Sequence, residues 1–240
     1  MRLVFLGTGD AFNNDSRGNM SVLVDSKYKI LFDCGPQVVY SLRRCGYSVN
    51  DAKYLFVSHL HGDHYGGIPF IGLNLFFKEK GRMKVGGPEK LEEYTKSVCE
   101  KFYPNLKPDD VFEFGNLSTD YPFRFDILEG KHTVSDYVYK AEISGKKIVY
   151  TGDTARLDLS KFAEGADYLI HEAAELDEEK AEKYGHTTPF EAAEVAEEAK
   201  VRNLVLVHRP GFDEKTTEKV RKIFPRTLFP HDLDVIEVIS

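Results

Sequence analysis

Short apolar runs recur along the chain, each closed by turn-forming residues, and they predict a strand-rich protein with helices interspersed. Runs of strand character fall at 2–6, 21–24, 29–32, 54–57, 84–85, 111–114, 123–129, 138–143, 147–150, 168–170, 204–207, 227–229 and 235–238, rich in β-branched and aromatic residues and bounded by Gly, Asn, Asp and Pro. Helical spacing covers 37–44, 68–78, 88–101, 174–183, 189–199 and 214–224. The fifth helix carries the strongest local signal. Thr188-Pro189-Phe190-Glu191 makes a capping box with proline at the first helical position, and Ala192, Val195, Ala196 and Ala199 mark one apolar face. Ile143-Ser144-Gly145-Lys146-Lys147 has the form of a short hairpin, with Gly145 free to take a positive φ. No repeat, low-complexity tract or Pro/Gly/Ser-rich linker divides the chain, so a single domain over 1–240 is expected. Strands in this order are best buried by two sheets packed face to face with helices outside.

One regularity runs through the pattern. Strand after strand ends on a residue able to bind metal or move protons: 29–32 runs into Asp33, 54–57 into Ser58 and His59, 147–150 into Thr151-Gly152-Asp153, 168–170 into His171-Glu172, and 204–207 into His208. Buried strands that share an edge bring their C-terminal ends together, so such groups can converge there.

Composition narrows the class. The 240 residues are 42% hydrophobic and 30% charged, enough for a sizeable core, and the net charge of -7 excludes a global basic field that would gather nucleic acid. The cluster Lys78, Lys80, Arg82 and Lys84 reads as a solvated loop at a helix end. Cys34, Cys45 and Cys99 form no C-x-x-C pair, which excludes a thiolate zinc site or a disulfide framework. No apolar stretch is long enough to span a membrane and the N-terminal run is too short for a secretory leader. A cytoplasmic protein with no membrane partner is expected.

His59-Leu60-His61-Gly62-Asp63-His64 carries the chemistry. Four potential ligands lie within six residues, Gly62 offers a tight backbone turn, and imidazole with carboxylate suits zinc, manganese or iron. Taken alone, His132 reads as a surface residue, Asp153 as a turn aspartate and His208 as a strand-end cap. Together, and in order, His59-x-His61-x-Asp63-His64, His132, Thr151-Gly152-Asp153-Thr154 and His208 resemble the dinuclear site of the metallo-β-lactamase superfamily. The resemblance implies an α/β, four-layer αββα sandwich: two mixed sheets with helices on the outer faces. It also implies two divalent metal ions, zinc first, with manganese or iron as alternatives. One would be held by His59, His61 and His132, the other by Asp63, His64 and His208, with Asp153 bridging. Asp33 is expected to support the metal loop through hydrogen bonds.

Two further segments resemble the ribonuclease Z-like phosphodiesterases: His171-Glu172-Ala173-Ala174 and Gly185-His186-Thr187-Thr188. By that resemblance Asp63, His186 and Glu172 are catalytic. Asp63 would orient the nucleophile, His186 would contact the phosphate or its leaving oxygen, and Glu172 would hold His186. Three departures weigh against tRNA as the substrate. His132 and Asp153 stand 21 positions apart, which leaves no room for the long tRNA-gripping arm of ribonuclease Z. Asn13-Asn14-Asp15-Ser16-Arg17-Gly18-Asn19 lacks that enzyme's proline–threonine pair, and Pro36 stands where a glutamate is usual. The expected function is a metal-dependent phosphodiesterase on a small or generic phosphodiester, such as a cyclic or short nucleotide. The alternatives are a tRNA 3′-end endonuclease, or an ester, lactone or thioester hydrolase on the same fold. Gly7-Thr8-Gly9-Asp10 lacks the lysine of a P-loop and reads as a turn beneath the site, and His231 has a structural or surface role. A homodimer stays open.

Overall fold

The computed structural model describes residues 1–115 and 121–238. The chain packs as two compact units. The first comprises the described residues of Met1–Gly7, Gly18–Thr119 and His231–Ser240; the second comprises Thr8–Arg17 and those of Asp120–Pro230.

The first unit is built on seven strands: β1 (Arg2–Gly7), β2 (Ser21–Asp25), β3 (Ile30–Phe32), β4 (Tyr54–Phe56), β5 (Met83–Gly86), β6 (Phe112–Phe114) and, from the far end of the chain, Val235–Glu237. The last of these pairs antiparallel with β1, β1 to β3 run antiparallel to their neighbours, and β3, β4, β5 and β6 are parallel, so the sheet is mixed. Its central strands are buried on both faces, which is why they read as unbroken apolar runs rather than alternations. Helix Val38–Arg44 lays Val38 and Leu42 on Val4, Leu23, Leu31 and Leu55.

The second unit holds a six-stranded mixed sheet. Its strands are β7 (Arg124–Glu129), β8 (Tyr137–Ile143), β9 (Lys146–Tyr150), β10 (Tyr168–Glu172), β11 (Leu204–Val207) and β12 (Thr227–Leu228), which makes Val235–Glu237 strand β13 in chain order. The spatial order is β12-β11-β10-β9-β8-β7. Strands β9 to β12 are parallel, and β7, β8 and β9 are antiparallel. Ser144 and Gly145, with φ of 53° and 76°, make the two-residue hairpin turn between β8 and β9. Helix Pro189–Glu198 starts at the expected capping box, Thr188 N donating to Glu191 Oε2 at 2.9 Å and Glu191 N to Thr188 Oγ1 at 3.2 Å. Its small residues Ala192, Ala193 and Ala196 let it lie close against Leu169, Leu204 and Leu206.

The structure moves several element ends. The segment expected as one helix over 68–78 is α-helical over Ile68–Leu73 and then widens into a π-helix over Asn74–Glu79. The helix expected from 174 begins at Glu178, because Asp177 caps it with a side-chain bond from Lys180 N at 3.0 Å. Val111 belongs to a helical turn, Pro108–Val111, ahead of β6. Among the described residues no helix is long and apolar enough to cross a membrane.

Candidate functional site

Parallel pairing places polar residues in each unit at one edge. In the first unit Phe32 of β3 faces Phe56 of β4, so Asp33 and the Ser58-His59 step emerge together, with Asp33 N donating to Phe56 O at 2.9 Å. In the second unit β9, β10 and β11 deliver Asp153, Glu172 and His208 in the same way. The chain turns sharply just past these strands: Asp33 (φ 55°), Gly152 (φ 60°) and His208 (φ 46°) all adopt the left-handed backbone. For Asp33 and His208 that conformation is costly, and it persists where the surroundings over-determine it.

Asp33 organises the first unit's donors. It is fully buried, and it accepts from Ser58 N at 2.6 Å, Ser58 Oγ at 2.8 Å and His64 Nδ1 at 2.7 Å. Ser58 Oγ, its own proton committed to Asp33, accepts from His59 Nδ1 at 3.0 Å. Both rings therefore carry a proton on Nδ1, which in the neutral imidazole leaves Nε2 as the atom able to ligate a metal. The His59 ring stands 4.6 Å from that of His61 and 4.2 Å from that of His64. Ligating atoms of His59 and His61 lie within 4.8 Å of each other, as do those of Asp63 and His64. The turn that aims them is the start of a short helix, Gly62–Tyr65, with His61 at its N-cap. Gly62 is not required for it: its φ is not left-handed and a Cβ there would meet open space.

The second unit brings together the remaining residues. His132 Nδ1 donates to Gly185 O at 2.8 Å, which again leaves Nε2 as the lone pair, and ligating atoms of His132 and Asp153 lie within 4.8 Å. Asp153 Oδ2 is 3.4 Å from His208 Nε2. Glu172 is 1% exposed and fully engaged. Its Oε1 accepts from His186 Nδ1 at 3.0 Å, Thr154 N at 3.1 Å and Thr187 N at 3.1 Å, and its Oε2 accepts from Ala174 N at 2.9 Å. Burial pushes the Glu172 carboxyl up from its ordinary value, while the imidazoles of His186 and His208 pull against that rise. The capping box that follows Thr187 fixes where the helix begins, and so fixes His186 as well.

Gly185, quoted from the sequence only as the start of the His186 motif, has a steric role that the sequence did not show. It ends helix Glu178–Tyr184 in the left-handed conformation (φ 74°), and a Cβ there would stand 2.9 Å from His132 Nδ1 and 3.0 Å from His132 Cα. Gly185→Ala is therefore expected to cost about 1–2 kcal/mol from backbone strain alone, and to displace the His132 ring. Urea unfolding reads the first effect and metal content of the purified variant the second. The roles of Ser58 and Thr154, named from the sequence only as neighbours of candidate ligands, and of Arg209, not named at all, rest on contacts made across the fold. Thr154 Oγ1 receives Lys131 N at 2.9 Å next to His132, and buried Arg209 stacks on Phe212 and Phe229 just past His208.

His171 lies outside these donor sets. Its ring is buried, its Nδ1 donates to Glu172 O at 2.8 Å, and burial drives its pKa down to about 4. An unfolded histidine titrates near 6.5, so between 6.5 and 4 the unfolded chain binds the extra proton. The stability held by the neutral ring is thus complete above pH 6.5 and drains as pH falls toward 4. Wild type is expected to lose about 2 kcal/mol more than His171→Asn between pH 7 and pH 5, measured by urea unfolding. His231 is exposed, its backbone N donating to Asp234 Oδ2, and it belongs to none of the ligating groups among the described residues.

Comparison with known proteins places this geometry. The sequence profile of the family described as Anti-Pycsar protein Apyc1 matches residues 1–224. Ribonuclease Z of Saccharolobus solfataricus is 28% identical, with 99% of each chain covered. That alignment runs over 293 positions against a chain of 240 residues, so the relative carries residues that this chain lacks. Among solved structures, human tRNase Z, short form, superposes with a TM-score of 0.84 at 24% identity over 100% of both chains. The metallo-β-lactamase fold protein YhfI from Bacillus subtilis gives 0.82 at 23% identity, covering 98% of this chain and 99% of its own. These likenesses show the metallo-β-lactamase fold, an α/β architecture of two mixed sheets with helices, as expected. The chain is a ribonuclease Z-like metal-dependent hydrolase of the metallo-β-lactamase superfamily, and it belongs to the Anti-Pycsar protein Apyc1 family.

Proposed function

We propose that the chain is a single hydrolase domain over 1–240 that cleaves a small phosphodiester, such as a cyclic or short nucleotide, with two divalent metal ions. His59, His61 and His132 would hold one ion, and Asp63, His64 and His208 the other, with Asp153 shared. The donors fit such ions: they are imidazoles and carboxylates without thiols, and His59, His64 and His132 each commit Nδ1 to a fixed acceptor, leaving Nε2 to ligate. This donor set suits zinc, with manganese and iron as alternatives. When bound, two such ions acidify water and neutralise charge on phosphate oxygens.

The protein's own residues would do the rest. Asp63 would orient the attacking water. His186 would present Nε2–H to the leaving oxygen and deliver a proton as the bond breaks, while Glu172 holds its Nδ1. The observation that carries this reading is the Glu172–His186 pair, a 3.0 Å bond to a buried carboxylate that three backbone amides also anchor. The experiment is hydrolysis of bis(4-nitrophenyl) phosphate by purified protein, with chelator and after adding back zinc or manganese. Metal-dependent turnover is expected. Faster cleavage of a lactone or thioester than of any phosphodiester would transfer the site to acyl substrates.

A second reading, tRNA 3′-end cleavage, is favoured by the relatives named ribonuclease Z. Against it stand the net charge of -7 and the ground between His132 and Asp153, where only the β8–β9 hairpin is found. An electrophoretic shift with tRNA at physiological salt separates the two. Tight, salt-sensitive binding would support processing, and no shift is expected for a small-phosphodiester enzyme.

A further inference from the structure

Phe12 is 85% exposed, yet its loop is held by side-chain hydrogen bonds on several sides. Asp10 Oδ1 accepts from Phe12 N at 3.0 Å and Asn14 N at 3.3 Å, and Asp10 Oδ2 accepts from Asn14 Nδ2 at 2.7 Å. Asn13, Asp15 and Ser16 take left-handed φ of 54°, 55° and 58°. Asn13 Nδ2 donates to Arg17 O at 2.8 Å, Asp15 receives Gly211 N, and buried Arg17 ties the loop to Thr8 Oγ1 at 2.8 Å and Pro230 O at 3.1 Å. Three non-glycine residues in that conformation carry backbone strain that other bonds must offset. The result is a rigid platform whose one large apolar side chain buries almost nothing, so Phe12 adds little to the fold.

What Phe12 does line is a cavity of about 380 Å³ shared with Leu176, Pro210 and the imidazoles of His186 and His208. Leu176 is 50% exposed, so two exposed apolar side chains share the lining of a pocket with the imidazoles of His186 and His208. His186 also borders a second cavity, of about 400 Å³, but that one is lined by Lys131, Arg156, Glu178, Glu182 and Glu191 and offers no aromatic face. Of these two cavities, the first is the one that offers an aromatic substituent on the phosphodiester an apolar, aromatic face.

We infer that Phe12, in the cavity it shares with Leu176, is the stacking platform that binds the nucleobase of the substrate and so sets preference for nucleotides over simple phosphate esters. The inference rests on the reading of His186 as the group facing the phosphate. A base stacked on an aromatic side chain is held without hydrogen-bond readout, so the platform tolerates different bases. The test is calorimetric binding of adenosine 5′-monophosphate and of ribose 5-phosphate to the metal-loaded protein, in wild type, Phe12→Ala and Phe12→Trp. Wild type is expected to prefer the nucleotide by roughly five- to a hundredfold. Phe12→Ala is expected to lose most of that preference and Phe12→Trp to keep it, with unchanged circular dichroism throughout. Equal affinity of wild type for the two ligands, or a preference that survives in Phe12→Ala, overturns the inference. Binding is read whether or not turnover occurs, so failure of the phosphodiesterase reading appears separately, as absent hydrolysis in protein that still discriminates between the ligands.

Discussion

His186→Ala is expected to lower kcat on a phosphodiester with an alkoxide leaving group by roughly 10²- to 10⁴-fold, the usual range for loss of a positioned acid. KM should change little. The effect should shrink for bis(4-nitrophenyl) phosphate, because a nitrophenolate leaves without needing a proton. Glu172→Gln should move in the same direction by less, since the amide oxygen can still accept from His186 Nδ1, whereas Glu172→Ala also leaves the amides of Thr154, Ala174 and Thr187 without their acceptor. The measurement is kcat against leaving-group pKa for wild type and His186→Ala. A steeper dependence in the variant supports proton delivery. Parallel lines would remove His186 from that role, and an ester hydrolase on this fold would barely respond to its loss.

The second large effect belongs to Asp33. Asp33→Ala is expected to cost about 3–5 kcal/mol, the range for removing one partner of a buried charge-assisted network, because Ser58 N, Ser58 Oγ and His64 Nδ1 all lose their acceptor at once. Asp33→Asn is the more informative variant. Its oxygen can still accept from one of these groups, but its amide would oppose either Ser58 Oγ–H or His64 Nδ1–H, so the His64 tautomer is no longer fixed. Metal affinity, measured by competition with a chromophoric chelator, should fall about 10- to 100-fold while the variant stays folded. Unchanged affinity would show that His64 does not depend on Asp33.

How much of this was legible in the chain follows from distance along it. His59, His61, Asp63 and His64 announce themselves because four potential ligands sit within six residues, and the strand that precedes them is a plain apolar run. His132, Asp153 and His208 carry no such local signal; each is an ordinary polar residue after a strand, and only the resemblance selected them. The parallel register of β9, β10 and β11 supplies the missing link within the second unit, since it delivers Asp153, Glu172 and His208 at one edge. Bonds across the fold stayed invisible. Nothing in the sequence says that Gly185 must leave room for His132, or that Ser58 relays Asp33 to His59. Helix ends erred where a side-chain cap overrode propensity, as at Asp177, and the π-helical turn over Asn74–Glu79 has the same apolar spacing as the α-helix expected there. Gly62 was read as a turn requirement, and the start of helix Gly62–Tyr65 proved to make the turn instead.

The central claim of the proposed function is that His59, His61, Asp63, His64, His132, Asp153 and His208 hold two ions. Anomalous diffraction from crystals of the metal-loaded protein tests it most directly. The account predicts two peaks, one bound by His59, His61 and His132 and one by Asp63, His64 and His208, with Asp153 touching both. A single peak, or ions held by other residues, would contradict it.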